Sequence, residues 1–178
     1  MDWQLEVVVV PVSDIDRARA FYADQLWFVV DHDTRMGEDV RVVQLTPPRS
    51  GCSVVIGTGL PSMEMPPGSL RGLQLVVPDI HAAHAHLVER GVEVSEILVA
   101  DRTGLRPVRE GDVLHNVGFV FFSDPDGNQW AVQQIDRPGW ASVSPRRAAL
   151  GRPREAGRAG PEMTIGSEVL RGPLDAVK

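Results

Sequence analysis

Val10-Pro11-Val12-Ser13-Asp14-Ile15 and, further along, Val76-Val77-Pro78-Asp79-Ile80 decide the fold, because the chain writes the same transition twice. In each copy an apolar run, Leu5 to Val10 or Leu73 to Val77, stops at a proline and hands over to an Asp-led segment of helical character. That segment ends near Leu26 or Arg90 and is followed by a second apolar run, Trp27-Phe28-Val29-Val30 or Gly91-Val92-Glu93-Val94. The copies lie about 65 residues apart, and a repeated strand–helix–strand unit of that size is a statement about architecture.

Working outward, the first copy predicts strand 4–10, helix 15–26 and strands near 28–33, 40–46 and 52–57. Ser13 or Asp14 caps the helix, and Ile15, Ala18, Tyr22 and Leu26 recur at steps of 3, 4 and 4, one helical face. Thr46-Pro47-Pro48-Arg49-Ser50-Gly51 is hairpin-turn chemistry. The second copy predicts strand 73–77, helix 80–90, strand 92–99, a polar loop 100–116, and strands 117–122 and 129–135. Asp124-Pro125-Asp126-Gly127-Asn128 makes the turn between the last two. The reading is α+β: two tandem βαβββ modules forming a curved mixed sheet around a shared cavity. The modules fall at 1–60 and 70–137, joined by a Pro/Gly linker at 61–69. Residues 138–178 lose all periodicity and read as a disordered basic Gly/Pro/Arg tail.

Bulk composition narrows the function. At 178 residues, 43% apolar and 24% charged, the chain has the make-up of a soluble globular protein, with no run of about 18 apolar residues to cross a membrane. The start, Met1-Asp2-Trp3-Gln4, lacks the character of a secretory signal, and one cysteine, Cys52, forms no internal disulfide. Both suit a cytoplasmic protein. Residues 138–178 hold seven basic and four acidic side chains, leaving eleven basic and twenty acidic, a net −9, on 1–137. An acidic body argues against nucleic acid as a partner, since phosphate contacts need a positive face.

These motifs resemble the vicinal oxygen chelate superfamily, which includes glyoxalase I, ring-cleaving dioxygenases, fosfomycin-modifying enzymes and bleomycin-binding resistance proteins. The resemblance covers about residues 4–136. It rests on Val10 to Ala18 with Phe21-Tyr22 and on the closing Asp124-Pro125-Asp126-Gly127-Asn128-Gln129-Trp130. In metal-using members of that family one ligand lies seven residues before each helix-opening Asp, here Val7 and Gly72. Another is a Glu four residues after the turn glycine, here Ala131, and a fourth position falls near Ile56. None of these side chains offers a donor atom, so the expectation is no metal and no cofactor. Glu6 sits one residue from a ligand position, on the opposite face by alternation. The family also implies pairing of modules across subunits, hence a homodimer. Trp27 stands where the repeat has Gly91 and the family usually has Gly. It reads as packing at the helix end or, alternatively, as lining of the cavity mouth.

Period two applied to those positions nominates the cavity face: Val7 and Val9 on the first strand, Gln74 on the fifth, and Gln129, Ala131 and Gln133 on the last. Gln44 and Thr46 lie on a neighbouring strand. This is an apolar wall with amides, suited to orienting a small organic molecule. Trp3, Trp130 and Phe119 are candidates to stack on such a ligand. His81, His84 and His86 share the second helix but point in different directions, which suits an outer face better than a metal.

The leading reading is thus metal-independent sequestration of a small organic molecule, resistance-like. The alternative is a metal-free isomerase, lyase, cyclase or hydrolase, with His115 or a carboxylate of the 109–112 loop as acid or base.

Overall fold

A computed structural model describes residues 1–61 and 64–136, which fall in one compact unit, Met1–Ser142. The expected basic tail, 138–178, lies outside the described residues.

Each copy of the repeat keeps the expected strand–helix order, although the strand expected over 92–99 starts only at Leu98, with an isolated bridge at Val94 before it. Strand β1 (Val7–Val9) leads into helix α1 (Ile15–Ala20), then β2 (Val29–Met36), β3 (Val40–Thr46) and β4 (Ser53–Thr58). The second copy runs β5 (Leu73–Val77), α2 (Ile80–Glu89), β6 (Leu98–Asp101), β7 (Gly104–Pro107), β8 (Gly118–Ser123) and β9 (Gln129–Gln134). The helix-opening aspartates are near-copies: Asp14 and Asp79 both have extended backbones (φ −137° and −139°). Their carboxylates accept from Arg17 N in one case and from His81 N and Ala82 N in the other. Each satisfies amides that a helix leaves bare at its start.

The strands form two sheets, ordered β1-β4-β3-β2 and β5-β9-β8-β6-β7. In each, the first strand runs parallel to the last strand of its module and the remaining pairs are antiparallel. No strand of one sheet pairs with a strand of the other among the described residues. Among the described residues the outer edges of β1 and β5 therefore carry no strand partner.

Alternation gives each sheet two different faces. On the first, Val43, Leu45, Val54 and Ile56 are at most 4% exposed and pack into the hydrophobic core. Val7, Val9, Gln44, Thr46, Ser53 and Val55 lie on the other face by register. On the second sheet Val99, Val120, Phe122, Trp130 and Val132 join that same core, while Phe119, Phe121, Gln129, Ala131 and Gln133 point the opposite way. The core thus gathers the helix-side faces of both sheets into one cluster, and the opposite faces stay out of it. Fully burying one such valine, leucine or phenylalanine stabilises by about 1.5–3 kcal/mol.

Register corrects one expectation. Ile56 is fully buried on the core face, and the open-face residue beside Gln44 is Val55.

Two rings in a row weld the modules together. The helix expected over 15–26 is α-helical only to Ala20, then opens into a π-helical turn, Phe21–Gln25, closed by Leu26 N donating to Phe21 O (3.2 Å). The wider turn lets consecutive residues both face inward. Phe21 reaches Phe122 (centroids 6.2 Å apart) and Tyr22 reaches Phe28 and Trp130 (5.7 and 5.9 Å). The linker then passes directly over the β8–β9 turn. A Cβ on Gly68 (φ 72°) would lie 2.0 Å from Asp126 O, so only glycine fits there.

The polar stretch expected as loop contains β7. Asp101 turns the hairpin by accepting from Thr103 N and Oγ1, and Arg106 on β7 forks onto Asp112 at 2.7 and 2.9 Å. That pairing holds Asp112 well below the usual carboxylate range; the Thr103 bonds, with Arg106 behind them, bring Asp101 down to about 2.

Candidate ligand site on the open faces

Below the open faces, a polar knot ties the modules. Buried Asp124 accepts from Tyr22 Oη (2.7 Å), from Asn128 N and Nδ2 (2.9 and 2.7 Å), and from Asp126 N (3.0 Å). Asn128 Nδ2 also donates to Pro11 O (2.8 Å), and its Oδ1 accepts from Leu70 N (3.1 Å). Trp130 Nε1 donates to Tyr22 Oη (3.3 Å). Burial, then the charge of Asp124, push the Tyr22 phenol far above its ordinary value, so it stays a neutral donor. The closing motif is thus a clamp on the start of the first module, and it aims its last strand, β9.

The register of the second sheet turns its open face into rows. The bridge Val94–Phe122 sets Glu93 opposite Ser123, which pairs with Gln129. The next row is Ser95, Phe121, Ala131 and Gln74, and the next is Leu98, Phe119, Gln133 and Val76. Phe119 and Phe121 lie parallel within 9°, centroids 6.0 Å apart. A polar row therefore borders an aromatic one.

Hydrogen bonds fix how the amides stand. Gln133 Nε2 donates to Asn116 O (2.7 Å), so its Oε1 must accept, and it does so from Gln74 Nε2 (2.6 Å). On the first sheet Gln44 Nε2 donates to Ser53 Oγ (3.1 Å), Ser53 bonds Thr46 (2.6 Å), and Thr46 Oγ1 donates to Asp31. Both chains end on an obligate acceptor, a carbonyl or a carboxylate. Each therefore leaves a glutamine Oε1, of Gln74 or of Gln44, with no partner among the described residues.

Two hollows adjoin these faces. One, of about 930 Å³, is lined by Glu93, Val94, Ser95, Phe121, Ser123, Gln129 and the edge of the core at Phe21, Phe122, Asp124 and Trp130. The other, of about 430 Å³, lies between the 47–51 turn and β5, beside Gln74 and Val76. Either is of the size that holds a small molecule.

The nominated residues are thus divided. Val7, Val9 and Gln44 lie on the open face of the first sheet, and Gln74, Gln129, Ala131 and Gln133 on that of the second. No hydrogen bond joins the two sets. Trp130 is 3% exposed on the core side, stacked on Phe122 and tilted against Tyr22, so it does not stack on a ligand; Trp3 is 86% exposed. His115 is exposed, and its Nδ1 accepts from Asp136 N (3.0 Å), pinning the chain just past β9. Asp112 of the same loop is committed to Arg106. Sequence reasoning passed over Phe121, Glu93, Asp31 and Ser53. Alternation in Phe119-Val120-Phe121 carries the signal for the first; the others depend on cross-strand register.

The positions where the family holds a metal do not fit one. Val7 and Ala131 present hydrocarbon and Gly72 presents nothing; Val55, open-face neighbour of Ile56, is no better. Among the described residues no three His, Cys, Asp or Glu side chains come close enough to share an ion.

Paired βαβββ modules, a strand–Asp–helix start and a clamping Asp-Pro-Asp-Gly-Asn turn define a class of two-module α+β proteins. The family model described as the Glyoxalase/Bleomycin resistance protein/Dioxygenase superfamily matches residues 4–132, and the chain belongs to that superfamily. Among solved structures it is similar to TnmS3, an antibiotic binding protein from Streptomyces sp. CB03234. The identity is 32%, 76% of this chain and 98% of that one are covered, and the TM-score is 0.57. A glyoxalase/bleomycin resistance protein from the same organism is 34% identical, with coverage of 74% and 100% and a TM-score of 0.55. A superfamily member from Sphaerobacter thermophilus DSM 20745 is 29% identical, with coverage of 75% and 98% and a TM-score of 0.58. No curated protein matches the chain.

Proposed function

We propose that this protein binds and sequesters a small organic molecule on its open sheet faces, without a metal ion, as a homodimer. The observation that carries the reading is the composition of those faces. Amides held in fixed orientation and an aromatic pair stand around Val7, Gly72 and Ala131, where chelating relatives need donors. Similarity to a protein described as antibiotic binding supports the same reading.

The division of the site supports a dimer. The free edges of β1 and β5 invite a strand from a second copy, which would set the first sheet of one protomer beside the second sheet of its partner. Trp3 (86% exposed), Leu5 (69%) and Val7 (39%) would then be covered. Among the described residues no helix is long and apolar enough to cross a membrane, and one free cysteine suits a reducing cytoplasm.

The test is a thermal-shift screen of small organic compounds, run with and without EDTA. A ligand present at about 100 times its Kd adds about 2.7 kcal/mol to the stability of the folded state. The expected result is an upward shift that the chelator leaves intact. Stoichiometric Zn, Ni, Mn or Fe in the purified protein, with binding lost on chelation, would overturn the reading.

A further inference from the structure

The larger hollow has a charge its neighbours do not balance. Glu93 stands on its rim with no hydrogen-bond or ion-pair partner among the described residues, and Gln129, across Ser123 from it, has no side-chain partner among them either. At its inner end lies Asp124, 5% exposed, whose carboxylate is satisfied only by the neutral donors of Tyr22, Asn128 and the Asp126 amide. Hydrogen bonds of that kind stabilise the anion but leave its charge in place. Among the described residues no Lys, Arg or His lines the hollow, and the ring of Phe121 stands in its wall, with the buried edge of Phe122 and Trp130 behind. Aromatic faces carry negative potential, and a concave site lined by one sign of charge focuses the field. The acidic body, net −9 over 1–137, adds to it.

We infer that this hollow selects a cationic ligand, a protonated or quaternary amine carried on an aromatic ring system. The cation sits at Glu93, and the ring system lies against Phe121. This rests on the small-molecule reading above and adds the ligand's charge to it. Glu93 is the specificity-determining partner because, among the described residues, it alone combines exposure to the hollow with an uncommitted carboxylate. Gln129, on the far side of Ser123, offers a neutral hydrogen bond and does not discriminate charge.

The test uses the full-length chain and two dyes of nearly the same shape, 9-aminoacridine, cationic near neutral pH, and acridine, neutral there. Binding is followed by fluorescence at low and high salt. The expected result is about a tenfold preference of the wild type for the cation, a difference of about 1.4 kcal/mol. That preference shrinks as salt rises, is lost in E93Q and reverses in E93K. Both substitutions fall on an exposed side chain and leave the circular dichroism and melting profile of the wild type. Equal, saturable binding of both dyes to the wild type overturns the charge preference and leaves the small-molecule reading standing. A preference that survives E93Q unchanged removes Glu93 from the role. If neither dye binds, the inference falls, and the ligand screen with chelator then judges the broader reading alone.

Discussion

Trp27 shows how a single residue is kept against its own backbone. It adopts φ 59° where the equivalent Gly91 has φ 73°, so the turn ending the first helix is preserved despite the side chain. A non-glycine residue in that region costs roughly 1 kcal/mol. In return the indole receives the Arg90 guanidinium at 4.2 Å and the His86 ring at 4.4 Å, bridging the ends of both helices. Packing, and not the lining of a cavity mouth, accounts for it. Two substitutions separate the terms. Trp27→Gly loses the stacking but relieves the backbone and should leave stability within about 1 kcal/mol of the wild type. Trp27→Ala loses the stacking and keeps the strain, so urea melts should place it below the glycine variant by about 0.4–1 kcal/mol or more. In the clamp, Tyr22→Phe removes one oxygen that both donates to Asp124 and accepts from Trp130. It should cost about 1–3 kcal/mol in the same melts, since buried partners are left bare.

At the scale of elements, α2 carries a titration that the fold feels. His86 is held below the ordinary histidine value, first by burial against Trp27 and then by the Arg90 charge, with Glu89 opposing. A histidine whose folded value is depressed favours the folded state when neutral. Its contribution is complete above the unfolded value, about 6.5, and is lost as pH falls from there towards the folded value. Melting temperature should decline over that window in the wild type and decline less in His86→Gln, as a paired pH series would read. The elements themselves were legible where period was strong: β3 and β5 appear with the bounds their alternation predicts, and the two Asp caps mark both helix starts to the residue. The π-helical turn was hidden, because Ile15, Ala18, Tyr22 and Leu26 fit an ordinary helix. Its signal is a hydrogen bond moved by one residue, invisible in a spacing. Strand β7 was hidden because an edge strand needs no apolar alternation; Gly104-Leu105-Arg106-Pro107 is fixed by its turn and by the fork of Arg106 onto Asp112. On the open faces, Gln74, Gln129, Ala131 and Gln133 follow from period two within a strand. The slip from Val55 to Ile56 arose because the parallel register of β1 on β4 leaves no mark in either strand alone.

The whole molecule poses the question of which face meets which, since the two halves of the candidate site lie on sheets that share no strand pair within one chain. Every residue nominated for binding falls between Trp3 and Gln133, and the family match ends at 132. Deleting 138–178 should therefore leave ligand affinity unchanged in a direct titration; loss of binding with the fold intact would move the function to the tail. The cross-subunit arrangement has a sharper test. Gln44→Arg plants a bulky cation on the open face of the first sheet, and Ala131→Arg does so on the second, so each homodimer should fail to bind. If each site joins the first sheet of one protomer to the second sheet of its partner, a heterodimer of the two variants contains one doubly blocked site and one untouched site. Random exchange of equal amounts makes half the dimers mixed, so about a quarter of all sites should regain wild-type affinity. Were each site built within a single chain, every site would carry one blocking arginine and mixing would restore none. Titration of the mixture before and after subunit exchange, with sedimentation to count the protomers, decides between them.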